Sequence, residues 1–468
     1  MATTSYPEAA LAAEPSGASN IGLYLATACG ILLAAALWFA GKPQLLRVAL
    51  PAAAALIGWI LYSTKPISYV TYSLWVWFLT PFVRRIIDWH FGFEEPSLVL
   101  LAPFLVSGIS VITLLPSAHQ KKDRIPTAFM LCGIAVLYGF VVGMLVHPSA
   151  EMLFGLLNWL CPMLFGLHLY LHWPQYQRYQ STISRNFVWA LLVLGLYGIY
   201  QFFLPPIWDR YWLENVSANS FGTPESLQVR VWSTMNSPGP FANTMMAGLL
   251  LLLVVRVPLK LPSACFGYVS FLLSVVRTAW LSWIIGFVLI LKSANPRIII
   301  RLVLSMLLLL ACLAPFAHDP RLATVIGDRF NTFSDLGHDE SYGARLDLYR
   351  VMAQDALDHP FGYGLRTLDT THGKIDSGLL SLVFSLGWLG SALFLAGILF
   401  IFWGGAMTKT DPFFLAAKAI TIAILAQSLS GPIFVNVTAA LFWIFAGMYL
   451  AGSRYHQTLG PAGAAVHS

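Results

Sequence analysis

The amino-acid sequence predicts an all-α polytopic membrane protein with roughly 12–14 transmembrane helices. Of its 468 residues, 57% are hydrophobic and only 10% are charged, a balance that leaves too little polar surface for a soluble protein of this length. Apolar stretches recur almost from end to end, and the polar residues collect between them. We therefore expect a single transmembrane domain over residues 21–453, with cytoplasmic tails at 1–20 and 454–468.

Each apolar stretch predicts one helix, because a membrane-spanning helix needs roughly 20 apolar residues. Fourteen stretches can be counted, but two of them, 67–83 and 262–276, are short. We therefore expect a total of roughly 12–14 spans. The stretches lie near residues 21–40, 45–63, 67–83, 97–116, 127–147, 152–171, 186–204, 240–255, 262–276, 279–292, 298–316, 378–403, 412–430 and 433–451.

Basic residues in the short connections predict the orientation, because cytoplasmic loops are enriched in Lys and Arg. The connection 121–124 holds three basic residues, and placing it in the cytoplasm puts most later basic connections on the same side. The same alternation makes 317–377 one large, partly helical periplasmic loop. Arg84 and Arg85 then fall outside, which counts against the first predicted spans.

Several function classes are disfavoured by the sequence. The net charge of +6 is scattered over short connections without a continuous basic patch, so we expect no nucleic-acid partner. The chain has no metal-ligand spacing, no Walker motif and no Asp-x-Asp motif. We therefore expect neither a metal nor a cofactor. If the chain is a sugar transferase, the missing Asp-x-Asp motif indicates a lipid-linked donor rather than a nucleotide sugar.

Three arginines stand out as candidate site residues: Arg230, Arg277 and Arg345. Arg277 interrupts a long apolar run, where an arginine at the bilayer centre costs about 2.5–3.5 kcal/mol. It is either a helix-end residue whose charge reaches the interface or part of an anion site facing a cavity. A guanidinium group keeps its charge at any working pH and presents a rigid fork of donors that suits phosphate oxygens. A lipid-linked pyrophosphate is such a ligand.

An ordered set of motifs surrounds these arginines and resembles the O-antigen ligase and O-antigen polymerase superfamily of bacterial inner-membrane proteins. The resemblance covers about residues 185–405. The motifs are Arg230 with Pro238, Arg277-Thr278-Ala279, Arg345 with Tyr349, His359-Pro360-Phe361-Gly362-Tyr363-Gly364, and Gly387-Trp388-Leu389-Gly390.

This resemblance implies a metal-independent glycosyltransferase of the inner membrane whose active site faces the periplasm. The donor would be an undecaprenyl-pyrophosphate-linked glycan, and the acceptor another glycan or a lipid-linked acceptor. Arg230 and Arg277 would act on the pyrophosphate, with Arg345 and Tyr349 as further substrate-binding residues. A polymerase of O-antigen or exopolysaccharide is the first expectation and a ligase the second, with chain-length regulator and flippase proteins as partners.

One position departs from the ligases, which carry a histidine eleven residues before the first glycine of the last motif. Here that position is Asp376, which the resemblance therefore implies as the catalytic group on the acceptor side. His372 lies four residues upstream and is expected to bind substrate or to take over this role. Asp376 also precedes the apolar stretch 378–403, where an aspartate is a good helix N-cap.

A function from another class also uses cationic residues in a membrane cavity: a transporter or flippase for an anionic lipid or sugar. Transporters usually place ionisable groups near the midplane, on broken helices. The candidate groups of this sequence instead collect at one surface and in one long loop, which favours chemistry there. A purely structural membrane scaffold is the remaining alternative.

Overall fold

A computed structural model describes most of the chain. The described residues are 18–115, 126–146, 148–216, 221–255, 257–292, 299–300, 303–304, 307, 354–365, 369–370, 373–374, 377–403 and 411–463. They are helical apart from short connections and one pair of antiparallel two-residue strands, β1 (Asp369–Thr370) and β2 (Gly373–Lys374). The all-α class predicted from the sequence is confirmed.

The helices follow the apolar stretches closely, because a helix satisfies its backbone hydrogen bonds internally and lipid offers no others. Short 3-10 turns at Leu98–Leu100 and Ile109–Leu114 extend the fourth helix at both ends. The helices are α1 (Ala18–Phe39), α2 (Pro43–Thr64), α3 (Pro66–Phe91), α4 (Leu101–Gly108), α5 (Thr127–Val146), α6 (Ala150–Leu171), α7 (Tyr176–Phe203), α8 (Ile207–Asn215), α9 (Pro238–Val254), α10 (Lys260–Leu273), α11 (Arg277–Lys292), α12 (Gly378–Trp403), α13 (Pro412–Leu425) and α14 (Asn436–Gly463).

Within the described part of the chain, seven helices are long and apolar enough to cross a membrane, and three further apolar helices are shorter. α3 has a suitable length but carries Arg84, Arg85 and Asp88 near its end. The predicted stretch 298–316 lies mostly outside the described residues, so the total of 12–14 spans stays a prediction.

The core of the bundle forms around α14, whose residues from Val437 to Ser453 are almost all buried. Small residues let its neighbour α6 approach closely, as is typical of helix pairs in membranes. A Cβ added to Gly166 of α6 would lie 2.8 Å from the carbonyl carbon of Trp443, closer than real side chains come. The glycine is therefore needed for the contact between the two helices.

One end of the bundle collects the last turns of α3, α7 and α10 and the first turns of α9 and α11; we call it the Arg230 end. Hydrogen bonds connect the loop between α8 and α9 to these turns, for example from the Val231 amide to the Leu273 carbonyl oxygen at 3.1 Å. α10 has 14 residues and α11 has 16. At 1.5 Å per residue they are about 21 and 24 Å long, less than the roughly 30 Å of a hydrocarbon core. Each of these two helices is therefore shorter than the thickness of a hydrocarbon core.

Candidate site at the Arg230 end

The centre of the candidate site is the tight turn between α10 and α11. Val275 in this turn has a φ of 51°, a left-handed conformation that is unfavourable for a β-branched residue. Arg230 Nη2 donates to the Val275 carbonyl oxygen at 2.9 Å, and its Nε donates to that of Ser274 at 3.4 Å. Arg277 follows two residues later as the first residue of α11. The structure therefore brings the Arg230 guanidinium to the turn that carries Arg277.

These contacts give Arg230 a structural role as well. The carbonyl groups at the end of a helix carry partial negative charge, and a nearby cation stabilises them. Backbone strain of the kind seen at Val275 costs about 1–3 kcal/mol and is kept only where surrounding contacts hold it. The half-buried guanidinium group holds this turn, so removing it would affect both the charge at the site and the path of the backbone into Arg277.

The loop that follows Arg230 is held by buried polar side chains from three helices. Arg85 at the end of α3 donates to the carbonyl oxygens of Ser233 at 2.5 Å and Met235 at 3.0 Å. It also forms an ion pair with Asp209 of α8, with 3.2 Å between Nε and Oδ1, and both side chains are 0% exposed. Gln201 of α7 donates to the other oxygen of Asp209 at 2.7 Å. The loop after Arg230 is thus fixed from α3, α7 and α8.

A second group of ion pairs lies nearby at the same end. Asp88 accepts hydrogen bonds from Arg47 and from Arg84, each at 3.1 Å. Arg47 also pairs with Glu94, and Arg84 with Glu95. Arg84 and Arg85 are therefore engaged in ion pairs within the fold. The ion pairs explain how the fold accommodates these charges, and their position outside the cytoplasm stays a prediction.

Two of the sequence motifs meet at a break in α12. Gly387 has φ 64° and ψ −176°, a conformation essentially limited to glycine, and it interrupts the helix. The segment 360–363 docks into this break. The Tyr363 amide donates to the Phe384 carbonyl oxygen at 2.7 Å, and the Trp388 amide donates to that of Pro360 at 3.0 Å. These bonds replace helical ones, as a broken helix at membrane depth requires.

A cluster of polar side chains lies in this docked segment and in the residues just before it. Tyr363 donates to Asp355 Oδ1 at 2.8 Å, and His359 Nδ1 lies 3.1 Å from the same oxygen. Partial burial, with the Asp355 carboxylate close by, raises the pKa of the Tyr363 hydroxyl to about 12. The hydroxyl therefore remains protonated at neutral pH and can keep donating to Asp355. The motif from Pro360 to Gly364 thus has a role in docking as well as a polar surface.

Comparison with known families identifies the segment that carries these features. Residues 262–395 match the family model described as O-antigen ligase. This match supports the resemblance of the chain to the O-antigen ligase and O-antigen polymerase superfamily. None of the curated proteins matches the chain. The matched segment contains the α10–α11 turn, the docked segment and the break in α12, and it supports a glycosyl transferase role.

The predicted site residues divide into two groups. Arg230 and Arg277 are described, and the backbone places them at one turn. Four predicted residues lie outside the described part of the chain: Arg345, Tyr349, His372 and Asp376. Among the described residues, no group of three or more His, Cys, Asp or Glu side chains converges as a metal site would.

Sequence reasoning missed the residues that fix the loop after Arg230. Asp209 and Gln201 were not singled out, and Arg85 was treated only as an exception to the charge rule. A signal existed, because an arginine pair at the end of an apolar stretch needs acidic partners, and Asp209 lies in the polar stretch 205–239. The pairing itself joins residues more than a hundred positions apart and becomes visible only in the fold.

Proposed function

We propose that the chain is a glycosyltransferase of the bacterial inner membrane that polymerises O-antigen or exopolysaccharide repeat units from an undecaprenyl-pyrophosphate-linked donor. The observation that carries this proposal is the contact of Arg230 with the strained turn before Arg277, inside a chain whose matched segment is that of the O-antigen ligases. Two guanidinium groups beside one turn suit a ligand with two phosphates.

The depth of this turn fits a lipid-linked ligand. The lipid tail lies in the hydrocarbon core, and its pyrophosphate lies at the surface of the membrane. Because α10 and α11 are shorter than the core is thick, arginines at their shared turn can be approached by such a head group without leaving the bilayer. The first turn of α11 also directs backbone N–H groups toward this end, which favours an anion.

The reaction follows from this placement. An acceptor hydroxyl attacks the anomeric carbon of the donor, the bond from that carbon to the pyrophosphate oxygen breaks, and undecaprenyl pyrophosphate leaves. Arg230 and Arg277 stabilise the charge that develops on the leaving group. Fixed donors of this kind are worth about 10²–10³ in rate each. In this proposal Asp376 takes the hydroxyl proton, and Arg345, Tyr349 and His372 contact the substrates from the loop 317–377.

A ligase is the second candidate, because the matching family model is described as O-antigen ligase. A ligase would transfer the finished glycan to lipid A-core or another acceptor. Asp376 at the position of the ligase histidine favours the polymerase. The active site would face the periplasm in either case.

Substitution of the two arginines tests the proposal. Arg230→Lys and Arg277→Lys keep the charge but lose the fork, so glycan transfer should fall at least about tenfold while membrane insertion holds. Arg210→Lys is the matched control, because Arg210 is an exposed arginine on α8 that also donates to a backbone carbonyl, that of Pro205. Normal transfer by both Lys variants would contradict the proposal, and so would an equal loss in the control.

A further inference from the structure

We infer that Arg85, Gln201 and Asp209 form a buried cradle that positions Arg230 for its action on the pyrophosphate. The inference rests on the proposed function and goes beyond it, because it assigns three positioning residues that do not touch the substrate. All three side chains are fully buried, and each comes from a different helix.

The cradle contacts the backbone of the loop after Arg230. The side-chain oxygen of Gln201 accepts from the amide of Trp232 at 3.1 Å and from that of Ser233 at 2.9 Å. Arg85 donates to the carbonyl oxygens of Ser233 and Met235 on the other side of the same turn. Side chains thus satisfy consecutive backbone groups that have no helix or strand to pair with.

The conformation held in this way is unfavourable by itself. Ser233 has a φ of 52°, in the left-handed region that residues other than glycine rarely adopt. Its hydroxyl donates to the Leu194 carbonyl oxygen at 2.7 Å, which adds one more anchor to α7. A strained residue persists where its surroundings over-determine it, and such residues cluster at functional sites.

The cradle is itself tied to a surface helix through Asp209. The second oxygen of Asp209 accepts from Gln201 at 2.7 Å and from the hydroxyl of Tyr197 at 2.8 Å, while its first oxygen faces Arg85 at 3.2 Å. The charges of Arg85 and Asp209 therefore compensate each other, while Arg85 Nε and Asp209 Oδ1 make no hydrogen bond. Loss of Gln201 would leave the amides of Trp232 and Ser233 without this acceptor and the path of the loop out of Arg230 less defined.

Asn186 offers a matched comparison on the same helix. Its side chain is also buried and polar, and it contacts Trp75 at 2.9 Å, Thr71 at 3.0 Å and the Thr182 carbonyl oxygen at 2.9 Å. None of these partners belongs to the loop after Arg230. Replacing Asn186 therefore measures the effect of losing a buried amide from α7 without disturbing that loop.

A double-mutant cycle tests whether Gln201 acts through Arg230. Turnover of an undecaprenyl-pyrophosphate-linked repeat unit is measured per folded protein for Gln201→Met, Arg230→Lys and the double variant, with Asn186→Leu as control. We expect Gln201→Met to lower kcat at least about tenfold, and the double variant to stay within about twofold of Arg230→Lys, since residues acting as a unit are not additive. Asn186→Leu should retain most of the rate.

A second variant keeps the test decisive if Gln201→Met does not fold. Gln201→Glu retains the acceptor oxygens but can donate to Asp209 only when protonated, and burial beside a like charge raises the pKa of such a carboxyl. Its rate per folded protein, relative to that of the unsubstituted protein, should therefore recover as the pH falls from about 8 to about 5.5.

The outcomes distinguish a failure of this inference from a failure of the proposed function. The inference is wrong if the loss of rate in the double variant equals the product of the losses in Arg230→Lys and Gln201→Met. It is also wrong if Asn186→Leu loses as much rate as Gln201→Met. In either case the cradle contributes only general stability. A pH-independent relative rate for Gln201→Glu would also oppose it. If Arg230→Lys itself turns over normally, the proposed role of Arg230 fails, and the inference falls with it.

Discussion

Gly387 offers a sharp test of how the motifs of this chain fold together. Its replacement by alanine places a Cβ 2.6 Å from the carbonyl oxygens of both Pro360 and Phe361, closer than real side chains approach. The backbone at Gly387 has a φ of 64°, which is strained for any residue with a side chain. Gly387→Ala must therefore move the docked segment 360–363 out of the break in α12.

The magnitude follows from what the movement removes. Strain at a glycine-only conformation costs about 1–3 kcal/mol. The displaced segment also loses two backbone hydrogen bonds, those from Tyr363 to Phe384 and from Trp388 to Pro360, each worth about 1 kcal/mol. The expected loss in the free energy of unfolding is about 3–5 kcal/mol.

The assay is thermal unfolding of the purified protein in detergent, followed by fluorescence-detected size exclusion, together with glycan transfer. Gly133→Ala in α5 is the control, because its added Cβ would meet only Met163 Cε at an ordinary 3.5 Å. We expect a clearly lower midpoint and weak transfer for Gly387→Ala, and a midpoint close to that of the unsubstituted protein for Gly133→Ala.

A second glycine, Gly362, lies on the other side of the same contact. Gly362 has a φ of 79°, and a Cβ there would lie 2.9 Å from the Phe384 carbonyl oxygen. Because Gly362→Ala and Gly387→Ala separate the same two segments, the double variant should be little less stable than either single one. An unchanged midpoint in Gly387→Ala, or strictly additive losses in the double variant, would refute the docking argument.

Three further predictions concern topology, the acceptor side and the docked segment. Cysteines introduced at Gln120 and Gly337 should be labelled from opposite sides of the membrane. Labelling of the cysteine at position 120 alone by an impermeant reagent in intact spheroplasts would reverse the predicted orientation. Asp376→Asn should abolish transfer at normal protein levels if the carboxylate takes a proton, whereas near-normal transfer would mark a helix cap. Tyr363→Phe should lower the free energy of unfolding by about 1 kcal/mol, because the hydrogen bond to Asp355 is lost. Since the pKa of Tyr363 is raised to about 12, this loss should persist up to about pH 10. An unchanged thermal midpoint would contradict the prediction.

Hydropathy was sufficient to predict most of the helices. Each apolar stretch within the described residues coincides with a helix, because in lipid the length of an apolar run and the formation of a helix are coupled. The stretch 97–116 shows the limit of this signal, since the structure divides it between α4 and two 3-10 turns. Hydropathy reports how many residues are apolar but not how each turn is wound.

The pairing of Arg230 with the turn before Arg277 was only partly predictable. The awkward positions of the two arginines indicated a shared site, and the structure brings them to one turn. The left-handed conformations of Ser233 and Val275 could not be predicted, because these residue types normally avoid them. They arise from tertiary contacts with Arg85 and Arg230.

The role of Gly387 also required the fold. The motif that contains it was visible in the sequence, but a glycine in an apolar helix usually indicates close packing between helices. Here it breaks the helix to receive the docked segment.

Reconstitution tests the central claim most directly. The purified protein is placed in lipid nanodiscs with an undecaprenyl-pyrophosphate-linked repeat unit, in the presence of a metal chelator and without nucleotide. We predict a ladder of longer glycans and the release of undecaprenyl pyrophosphate, with both lost in Arg230→Lys and Arg277→Lys. Intact donor with no bond cleaved, or cleavage that proceeds equally well in both Lys variants, would contradict the account; transfer only after lipid A-core is added would establish the ligase instead.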